Sequence, residues 1–398
     1  MKCNMSQQNL KIAVFSNTFG LRDAMGQHVH LIKKIFPKAE IFLERENEDS
    51  QIAAQTYYFV KRYPWMSLYM LEWKLGKRLK MLEWIFKPLD RLAFGHEAKK
   101  FRKYDVLWVQ WGLYHKAIHL LPFIIRLKPR PRLIFDYHGV TPPEHILSPG
   151  KKLIAEKTIE VTREGAEAAD VCLVRSGFMA QELKNFSHPK KIVFNPLPFL
   201  GAKYSADISV QLRHKYGLKN KKVLLYVGRI STHKNLEIVI RSLGDCKWDD
   251  IYFVVVGNDY HRSLAAEKGR LLSLACNLKI ERQIIFTGEV SQEELVAWYH
   301  ICNVFVMPSL HEGFCWPLVD AMAYGKPVLA SRFGAIPETL GQAGLYFDAR
   351  DFRDLTLKIR QVFSDPALQA RLVQLGQEKV REYSWEQYKD VLEQLVKK

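Results

Sequence analysis

The stretch VLLYVGRISTHKNLEIVI, from Val223 to Ile240, decides the fold because it contains a strand, a turn and the start of a helix. Its apolar run ends at Gly228, and glycine permits the tight turn that such a transition requires. A helix is predicted to begin near Asn235. Short apolar strands that alternate with helices form parallel sheets that are covered on both faces. The stretch therefore predicts one unit of an α/β domain.

Similar units recur on both sides of this stretch and divide the chain into two series. The later series has strand-like runs at residues 251–257, 283–288, 304–309, 327–331 and 345–347, and the earlier series has runs at 11–16, 106–110, 133–137 and 171–174. The segment 195–220 interrupts the alternation and is predicted to be the linker. We therefore expect two Rossmann-like, doubly wound parallel-sheet domains, at residues 1–200 and 201–382. Ligands bind beyond the carboxyl ends of such strands, so the expected site is a cleft between the domains.

The composition is that of a globular protein, with 48% hydrophobic and 25% charged residues among 398. The polar N-terminus lacks the apolar core of a signal peptide, and no window has the apolar length of a membrane span. The six cysteines form neither a C-x-x-C pair nor a zinc pattern, which favours reduced thiols and no metal site. We expect a cytoplasmic protein, or one that lies peripherally on the cytosolic face of a membrane.

The positive charge is concentrated in the first half of the chain. Residues 1–200 hold 32 lysines and arginines against 19 acidic residues, whereas residues 201–398 hold 27 against 23. A basic bias in one half indicates an anionic partner for that half, such as a membrane surface, an acidic acceptor or nucleic acid. Because no helix-turn-helix, zinc-finger or ribonucleoprotein motif is present, we do not expect nucleic acid to be the partner.

The segment from Trp65 to Leu89 predicts a helix with two different faces. Leucines and a phenylalanine recur at steps of three and four on one face, which can pack on the domain. Tryptophan and lysine occupy the opposite face, and this combination suits an anionic membrane interface. The residues of this second stripe are Trp73, Lys77, Lys80, Trp84 and Lys87. The stripe is a candidate for membrane or acceptor contact, and an ordinary solvated basic face is the alternative.

The segment SLHEGFCWPLVDAMA, residues 309–323, carries two acidic side chains in a strand-loop-helix unit. Glu312 lies on the predicted loop and Asp320 just inside the predicted helix. Carboxylates are good acceptors for the hydroxyl groups of sugars and ribose. Backbone N–H groups around Gly313, Phe314 and Cys315 can meet an anion or a hydroxyl group. The segment is therefore the first candidate for a donor-binding loop.

This segment resembles the signature of glycosyltransferase family 4, one of the glycosyl transferases of group 1. In that signature, Glu-Gly-Phe is followed by a second acidic residue after seven intervening positions, and the similarity continues through GKPVLASRFGAIPETL at residues 325–340. The resemblance implies a GT-B fold and a retaining mechanism. It also implies that Glu312 contacts the donor sugar and that Asp320 contacts the ribose. Asp320 stands where the family usually has glutamate, and Cys315 stands where glycine is common.

The resemblance also assigns roles to two basic residues and one histidine. The departing nucleotide diphosphate gains negative charge, which arginine, lysine and a helix N-terminus stabilise. The family uses an arginine and a lysine at the spacing of Arg229 and Lys234 for this purpose. His138, at the end of the strand in FDYHG, resembles the histidine that approaches the donor sugar. The predicted catalytic residues are therefore Glu312, His138, Arg229 and Lys234.

Two glycines and one asparagine complete the predicted donor site. Gly20 and Gly26 lie before a helix predicted to start near Gln27, and the family has a glycine close to the diphosphate after its first strand. We prefer Gly26, with an ordinary turn as the alternative. Asn258 follows a strand at the position where the family binds the base and ribose, as does Glu289.

Two features of the C-terminal part concern the cleft between the domains. Glu338 begins a helix that we expect to face the cleft, and simple capping of a helix N-terminus is the alternative role. The ending YSWEQYKDVLEQL resembles the last helix of the family. This resemblance predicts that residues 383–398 cross back to the N-terminal domain.

The sequence therefore predicts a retaining glycosyltransferase that moves a sugar from a nucleotide diphosphate sugar to an acceptor hydroxyl. The stripe and the basic half favour a lipid-linked or cell-envelope glycan as the acceptor. No cofactor or metal is expected, because the family is metal-independent and no D-x-D motif is present. The alternatives are another GT-B enzyme, such as a sugar-nucleotide epimerase or a phosphorylase, and a catalytically silent, membrane-associated sugar-nucleotide binder.

Overall fold

The computed structural model describes residues 10–16, 24–43, 56–58, 94–112, 114, 116–146, 149–257 and 262–397. Within these ranges the strands form two separate sheets, and every strand pairing is parallel. The strands of the first sheet are β1 (Ile12–Ser16), β2 (Glu40–Leu43), β3 (Thr56–Tyr58), β4 (Val106–Trp111), β5 (Arg132–Tyr137), β6 (Val171–Val174) and β7 (Ile192–Phe194). Their spatial order is β3-β2-β1-β4-β5-β6-β7.

The second sheet begins after the interruption that the sequence places at residues 195–220. Its strands are β8 (Lys222–Val227), β9 (Ile251–Val256), β10 (Ile284–Gly288), β11 (Val304–Met307), β12 (Val328–Ala330) and β13 (Gly344–Tyr346). Their order is β10-β9-β8-β11-β12-β13. In each sheet, successive strands are first added towards one edge and then towards the other. The change of direction occurs next to β1 in the first sheet and next to β8 in the second, as in doubly wound sheets. The expected α/β architecture is confirmed.

Helices connect the strands in both halves. In the N-terminal part they are α1 (Ala24–Ile35), α2 (Leu121–Ile124), α3 (Pro149–Ala168) and α4 (Gly177–Phe186). In the C-terminal part they are α5 (Ala206–Lys215), α6 (Leu236–Cys246), α7 (Arg262–Asn277), α8 (Gln292–Ile301), α9 (Trp316–Ala323), α10 (Ile336–Leu340), α11 (Phe352–Ser364), α12 (Pro366–Val380) and α13 (Trp385–Val396). Short 3-10 turns lie at residues 100–103, 116–120, 143–145, 232–234 and 281–283.

The central strands are buried along their whole length, which explains why they are continuous apolar runs. All residues of β1, β4 and β11 are buried. Helices cover both faces of a sheet of this kind, so its strands do not alternate between apolar and polar residues. The edge strand β7 differs, because Phe194 is more than half exposed and its neighbours are only partly buried. This exposure explains why the apolar pattern did not reveal β7.

The start of the first helix corrects one sequence prediction. Helix α1 begins at Ala24, so Gly26 lies in its first turn and not in a loop before a helix near Gln27. The segment that contains Gly20 lies outside the described residues. The strands β2 and β3 were not predicted either, because each has four residues or fewer. Runs this short give too little pattern to detect.

The predicted amphipathic segment at residues 65–89 lies outside the described residues. Its role in membrane or acceptor contact therefore stays a prediction. Among the helices that the structure describes, none combines the length and the apolar composition needed to cross a bilayer.

The last helix contacts elements that belong to the first sheet and its helices. The Asn195 side chain donates to the Tyr388 carbonyl at 3.3 Å, and the Tyr388 ring lies 5.9 Å from the ring of His28. The Lys34 ammonium lies 4.5 Å from the centroid of the Trp385 ring, a favourable cation–π distance. Helix α13 thus links the C-terminal end of the chain to α1.

Packing between α3 and β5 gives a first testable prediction. A side chain at Gly165 would collide with the Phe135 ring and with Ile118. Gly165→Ala should therefore lower the urea midpoint of unfolding, since overpacking costs about 1–3 kcal/mol and outweighs the gain of about 1 kcal/mol in helix propensity. Gly269→Ala is the matched control, because this helical glycine is exposed with open space around it. The control should raise the midpoint, and equal shifts would contradict the packing argument.

Candidate functional site

The carboxyl ends of strands from both sheets meet at one place. Ser176, which follows β6, donates through its hydroxyl to the Gly313 carbonyl at 2.6 Å. A Cβ placed on Gly313 would lie 3.4 Å from the carbonyl oxygen of His138, the residue that follows β5. The loop that contains Glu312 therefore lies directly against the end of the first sheet. This is the interdomain position at which doubly wound sheets bind ligands.

An ion pair joins two loops of the second sheet at this position. The Lys234 ammonium lies 2.6 Å from Glu312 Oε1, and the Ser309 hydroxyl donates to the same oxygen at 2.7 Å. Both charged side chains are only 11–12% exposed, so solvent screens their attraction less than at an open surface. Among the described residues, the side-chain hydrogen bonds and the ion pair of Glu312 go to Oε1, and none goes to Oε2. This oxygen can accept a hydrogen bond from a ligand hydroxyl.

The backbone of Glu312 is fixed by the loop before α10. The Ala335 N–H donates to the Glu312 carbonyl at 2.8 Å. Gly334 has a φ of 62°, and a Cβ at this position would collide with the Glu312 backbone. Glycine is therefore required at residue 334 for two reasons, the left-handed conformation and the close approach. The carboxylate of Glu312 is thus held at both its backbone and its side chain.

The residues after Glu312 lead into helix α9 through an unusual conformation. Cys315 has φ 70° and ψ 68°, a region that glycine adopts more easily than other residues. Burial raises the pKa of the Cys315 thiol well above its usual value, so this side chain stays neutral. Phe314 is also buried, and its carbonyl accepts from the Thr339 hydroxyl at 2.6 Å. These contacts give the loop a fixed shape.

Asp320 lies in the second turn of α9. It keeps part of its surface accessible, and no charged or hydrogen-bonding side chain in the described ranges perturbs its carboxyl group. Burial raises the pKa of Asp320 to about 7. The carboxyl group therefore changes charge near neutral pH, which is the behaviour expected of a group that needs a ligand to replace lost solvent.

Arg229 and Lys234 lie on the same loop but in different environments. Arg229 is exposed, whereas Lys234 is mostly covered. The loop is held by the buried Tyr226, whose hydroxyl donates to the Arg229 carbonyl at 3.1 Å. It is also held by the His233 carbonyl, which accepts from the Leu310 N–H at 2.7 Å. The cationic loop and the Glu312 loop therefore form one rigid unit.

His138 lies above a buried polar cluster of the first sheet. Its Nε2 atom is 3.5 Å from Asp136 Oδ1, and the side chain is 8% exposed. Arg175 Nη2 lies 2.5 Å from the same oxygen, and His28 Nδ1 lies 3.1 Å from Asp136 Oδ2. The Trp108 indole donates to Oδ2 at 2.8 Å. Asp136, His28 and Arg175 were not predicted as site residues.

The same cluster is a candidate metal site, because ligand atoms of His28, Asp136 and His138 lie within 4.8 Å of one another. Histidine and aspartate are suitable ligands for several divalent metals. However, the Arg175 guanidinium already supplies a positive charge to Asp136 and lies 3.2 Å from both ring nitrogens of His28. A cation at this position would be repelled by Arg175. The residues therefore fit an ion pair better than a metal ion.

Glu338 makes a contact that the sequence did not reveal. Its carboxylate accepts from the backbone N–H groups of Gly177 at 2.6 Å and Phe178 at 3.2 Å. These groups are at the start of α4, which follows β6 of the first sheet. Glu338 therefore caps a helix on the other side of the cleft. A negative charge at a helix N-terminus is favourable.

A second contact across the cleft involves His311 and Glu182. His311 Nε2 lies 3.3 Å from Glu182 Oε1, and the Tyr137 hydroxyl donates to Glu182 Oε2 at 2.6 Å. Glu182 belongs to α4, the same helix that Glu338 caps. Sequence reasoning gave no reason to select either residue, because a single histidine or glutamate without a motif has no specific signal.

The remaining predicted site residues fall in two groups. Gly26 lies in α1, and Glu289 follows β10 as predicted. Asn258 lies outside the described residues, as does the whole Trp/Lys stripe of Trp73, Lys77, Lys80, Trp84 and Lys87. The structure therefore brings together Glu312, Lys234 and the end of the first sheet at His138, with Arg229 on the Lys234 loop.

Solved structures establish the class of fold. The chain superposes on sucrose-phosphate synthase from Thermosynechococcus elongatus with a TM-score of 0.74 at 21% identity, covering 97% of this chain and 98% of that one. It superposes on Anabaena Alr3699/HepE in complex with UDP and glucose with a TM-score of 0.75 at 17% identity, covering 97% and 99%. The two parallel-sheet domains and these neighbours define a GT-B fold.

A family and two curated relatives are more specific. Residues 210–379, which lie in the C-terminal half, match the model of the family described as glycosyl transferases group 1. The serotype-specific mannosyltransferase WbdA of Escherichia coli is 31% identical over 185 residues, which are 46% of this chain and 22% of that protein. The O-antigen chain mannosyltransferase B of Escherichia coli is 25% identical over 279 residues, 69% and 71% of the two chains. The chain spans between about a fifth and a third of the first relatives it matches.

The Glu338 contact yields a prediction about the cleft. Glu338→Ala removes the acceptor of two N–H groups, and a charged helix cap is worth about 1–2 kcal/mol. Amide exchange at Gly177 and Phe178 should therefore accelerate about tenfold, as measured by hydrogen–deuterium exchange of peptides from the start of α4. Glu293→Ala is the matched control, because Glu293 is an exposed acid in the first turn of its own helix. If both variants exchange like the parent at α4, Glu338 does not cap this helix in solution.

Proposed function

We propose that this protein is a retaining glycosyltransferase that moves a sugar from a nucleotide diphosphate sugar to an acceptor hydroxyl. The observation that supports this most strongly is the Lys234–Glu312 pair, in which one oxygen of Glu312 is held by Lys234 and Ser309. The other oxygen is available to a hydroxyl group of the donor sugar. The sequence signature around this pair and the group 1 domain at residues 210–379 support the same reaction.

The cationic loop provides the main chemical contribution in this proposal. Negative charge grows on the diphosphate as its bond to the sugar breaks, and preorganised positive groups stabilise that charge. Arg229 is exposed and can contact the phosphates directly, while Lys234 lies beside Glu312. Because two cations meet the diphosphate, we propose that the reaction needs no metal ion.

The sugar is oriented from both sides of the cleft. Glu312 accepts from a hydroxyl group on one side, and the imidazole of His138 contacts the sugar on the other. The acceptor hydroxyl attacks from the face on which the diphosphate leaves, and its proton passes to a phosphate oxygen. No protein nucleophile takes part. Closure of the two domains around the substrates excludes water, which would otherwise compete with the acceptor.

We propose a lipid-linked or cell-envelope glycan as the acceptor. A relative named O-antigen chain mannosyltransferase B, and a lipopolysaccharide 1,2-N-acetylglucosaminetransferase of Salmonella typhimurium, support this class. The excess of basic residues in the first 200 residues suits an anionic acceptor or membrane surface.

Sedimentation with anionic vesicles tests whether the protein binds a membrane surface. If a Lys77/Lys80/Lys87→Glu variant sediments like the parent, the Trp/Lys stripe does not bind membranes.

The reaction itself is tested by removing the two cations. Arg229→Ala combined with Lys234→Ala should lower kcat at least about 100- to 1,000-fold, since each group stabilises charge that develops in the transition state. Transfer is measured by product chromatography, with the donor first selected by thermal shift against UDP-, GDP- and dTDP-sugars. Lys219→Ala with Arg371→Ala is the matched control, because both residues are exposed on the same domain.

The outcomes separate the competing functions. Transfer to an acceptor that is lost only in the first double variant supports the proposal. Conversion of the nucleotide sugar without an acceptor would indicate an epimerase, and a requirement for phosphate would indicate a phosphorylase. Binding without turnover would indicate a silent sugar-nucleotide binder. Full activity of the Arg229/Lys234 variant would refute the proposed site.

Asp320 gives a prediction about pH. Its pKa near 7 in the free protein is above the ordinary value, so the folded state binds more protons than the unfolded state between about pH 4 and 7. The stabilising contribution of this carboxyl group to the free energy of unfolding is therefore present at low pH and is lost as the pH rises through 7. A ribose hydroxyl donates to the ionised form, so the affinity for the selected nucleotide sugar should rise up to about tenfold from pH 6 to 8. Asp320→Asn should show a flat profile by calorimetry, and a parent profile that is equally flat would contradict this role.

A further inference from the structure

A fully buried ion pair lies directly beneath His138. Asp136 and His28 have no exposed surface, and Arg175 is 2% exposed. Asp136 is the last-but-one residue of β5, Arg175 follows β6, and His28 lies in α1. Three elements of the first sheet layer therefore place these side chains at one point. Charged groups are rarely buried in this way unless they are paired.

The charges within this cluster are well defined. Burial alone would raise the pKa of Asp136, but the Arg175 guanidinium, and then His28 and His138, hold it well below its usual value. Burial, followed by the charge of Arg175, lowers the pKa of His28 to about 3. At neutral pH the cluster therefore contains an ionised Asp136, a positive Arg175 and a neutral His28. Asp136 is a permanent acceptor.

The acceptor positions of Asp136 are almost filled. Arg175 Nη2 donates to Oδ1 at 2.5 Å, and the Trp108 indole N–H donates to Oδ2 at 2.8 Å. His138 Nε2 faces Oδ1 at 3.5 Å, and within the described ranges this buried nitrogen has no other hydrogen-bond partner. A buried ring nitrogen beside an ionised carboxylate is most stable when it carries the proton.

We propose that Asp136, kept ionised by Arg175, is a positioning residue for His138. It holds the proton on Nε2 and thereby leaves Nδ1 as the hydrogen-bond acceptor of the imidazole. The orientation of the ring is fixed by the same interaction, because the carboxylate itself cannot move within its buried contacts. The inference rests on the proposed function, in which His138 contacts the donor sugar. In that reaction the fixed imidazole contacts the sugar and not the nucleotide.

Kinetics distinguish a positioning role from a purely structural one. Asp136→Asn should lower kcat about 10- to 100-fold, the size of loss seen when the partner that orients a metal-binding histidine is removed, and leave the affinity for the free nucleoside diphosphate unchanged. His138→Ala and the combined variant complete a double-mutant cycle. If Asp136 acts through His138, the combined variant is no slower than His138→Ala alone. Multiplicative losses would show an independent role for Asp136 and overturn the proposal.

A second measurement does not depend on activity. Proteins labelled with ¹⁵N-histidine report which ring nitrogen of His138 carries the proton, and the spectrum of His138→Gln assigns the signal. At about pH 8 the parent should show the Nε2–H form alone, and Asp136→Asn should show a mixture of both forms. The same ratio of forms in the two proteins would overturn the proposal.

The buried pair requires a further control, because Asp136→Asn leaves Arg175 without its partner. Removing one member of a buried pair is strongly destabilising, whereas replacing both is tolerated better. If the single variant does not fold, Asp136→Asn with Arg175→Gln carries the same test. Should the parent transfer no sugar at all, the proposed function fails, while the histidine spectra still decide whether Asp136 fixes the His138 ring.

Discussion

The ion pair between Lys234 and Glu312 is the interaction on which the rest of the site depends. It joins two loops that are 78 residues apart in the sequence and that follow different strands of one sheet. Lys234 alone would be a covered cation without a partner, and Glu312 alone would be a covered anion. Their pairing makes burial of both possible at the mouth of the cleft. The pair thereby joins the loop that carries Arg229 to the loop that carries Glu312.

Much of this arrangement could be predicted from the sequence, because it lies within two continuous segments. The strand that ends at Gly228 and the strand before Glu312 are buried apolar runs, and both end where the backbone turns into a helix. Parallel strands place such ends at one edge, so two local patterns predict one three-dimensional site. The left-handed conformation of Cys315 also explains why glycine is common at this position in the sequence signature, since glycine adopts this conformation without strain.

The contributions of the first sheet could not be predicted in the same way. His28 and Arg175 are 147 residues apart, and neither belongs to a motif. Only the strand order, which places β5 between β4 and β6, brings Arg175 to Asp136 and His138. Glu338 shows the same limit. The sequence predicts that its helix faces the cleft, with capping of a helix N-terminus as the alternative role, but it does not indicate that Glu338 contacts the start of α4 across the cleft.

On each side of the cleft, a covered carboxylate is paired with a positively charged side chain. Asp136 is neutralised by Arg175 on one side, and Glu312 is neutralised by Lys234 on the other. Among the described residues of these two clusters, only the exposed Arg229 carries a charge that no acidic side chain balances. In the proposed reaction, an arriving diphosphate therefore meets an uncompensated positive charge without first breaking a buried pair. In the proposed reaction, the compensated pairs act on the sugar through Oε2 of Glu312 and the ring of His138, so the exposed charge and the paired charges lie on different residues.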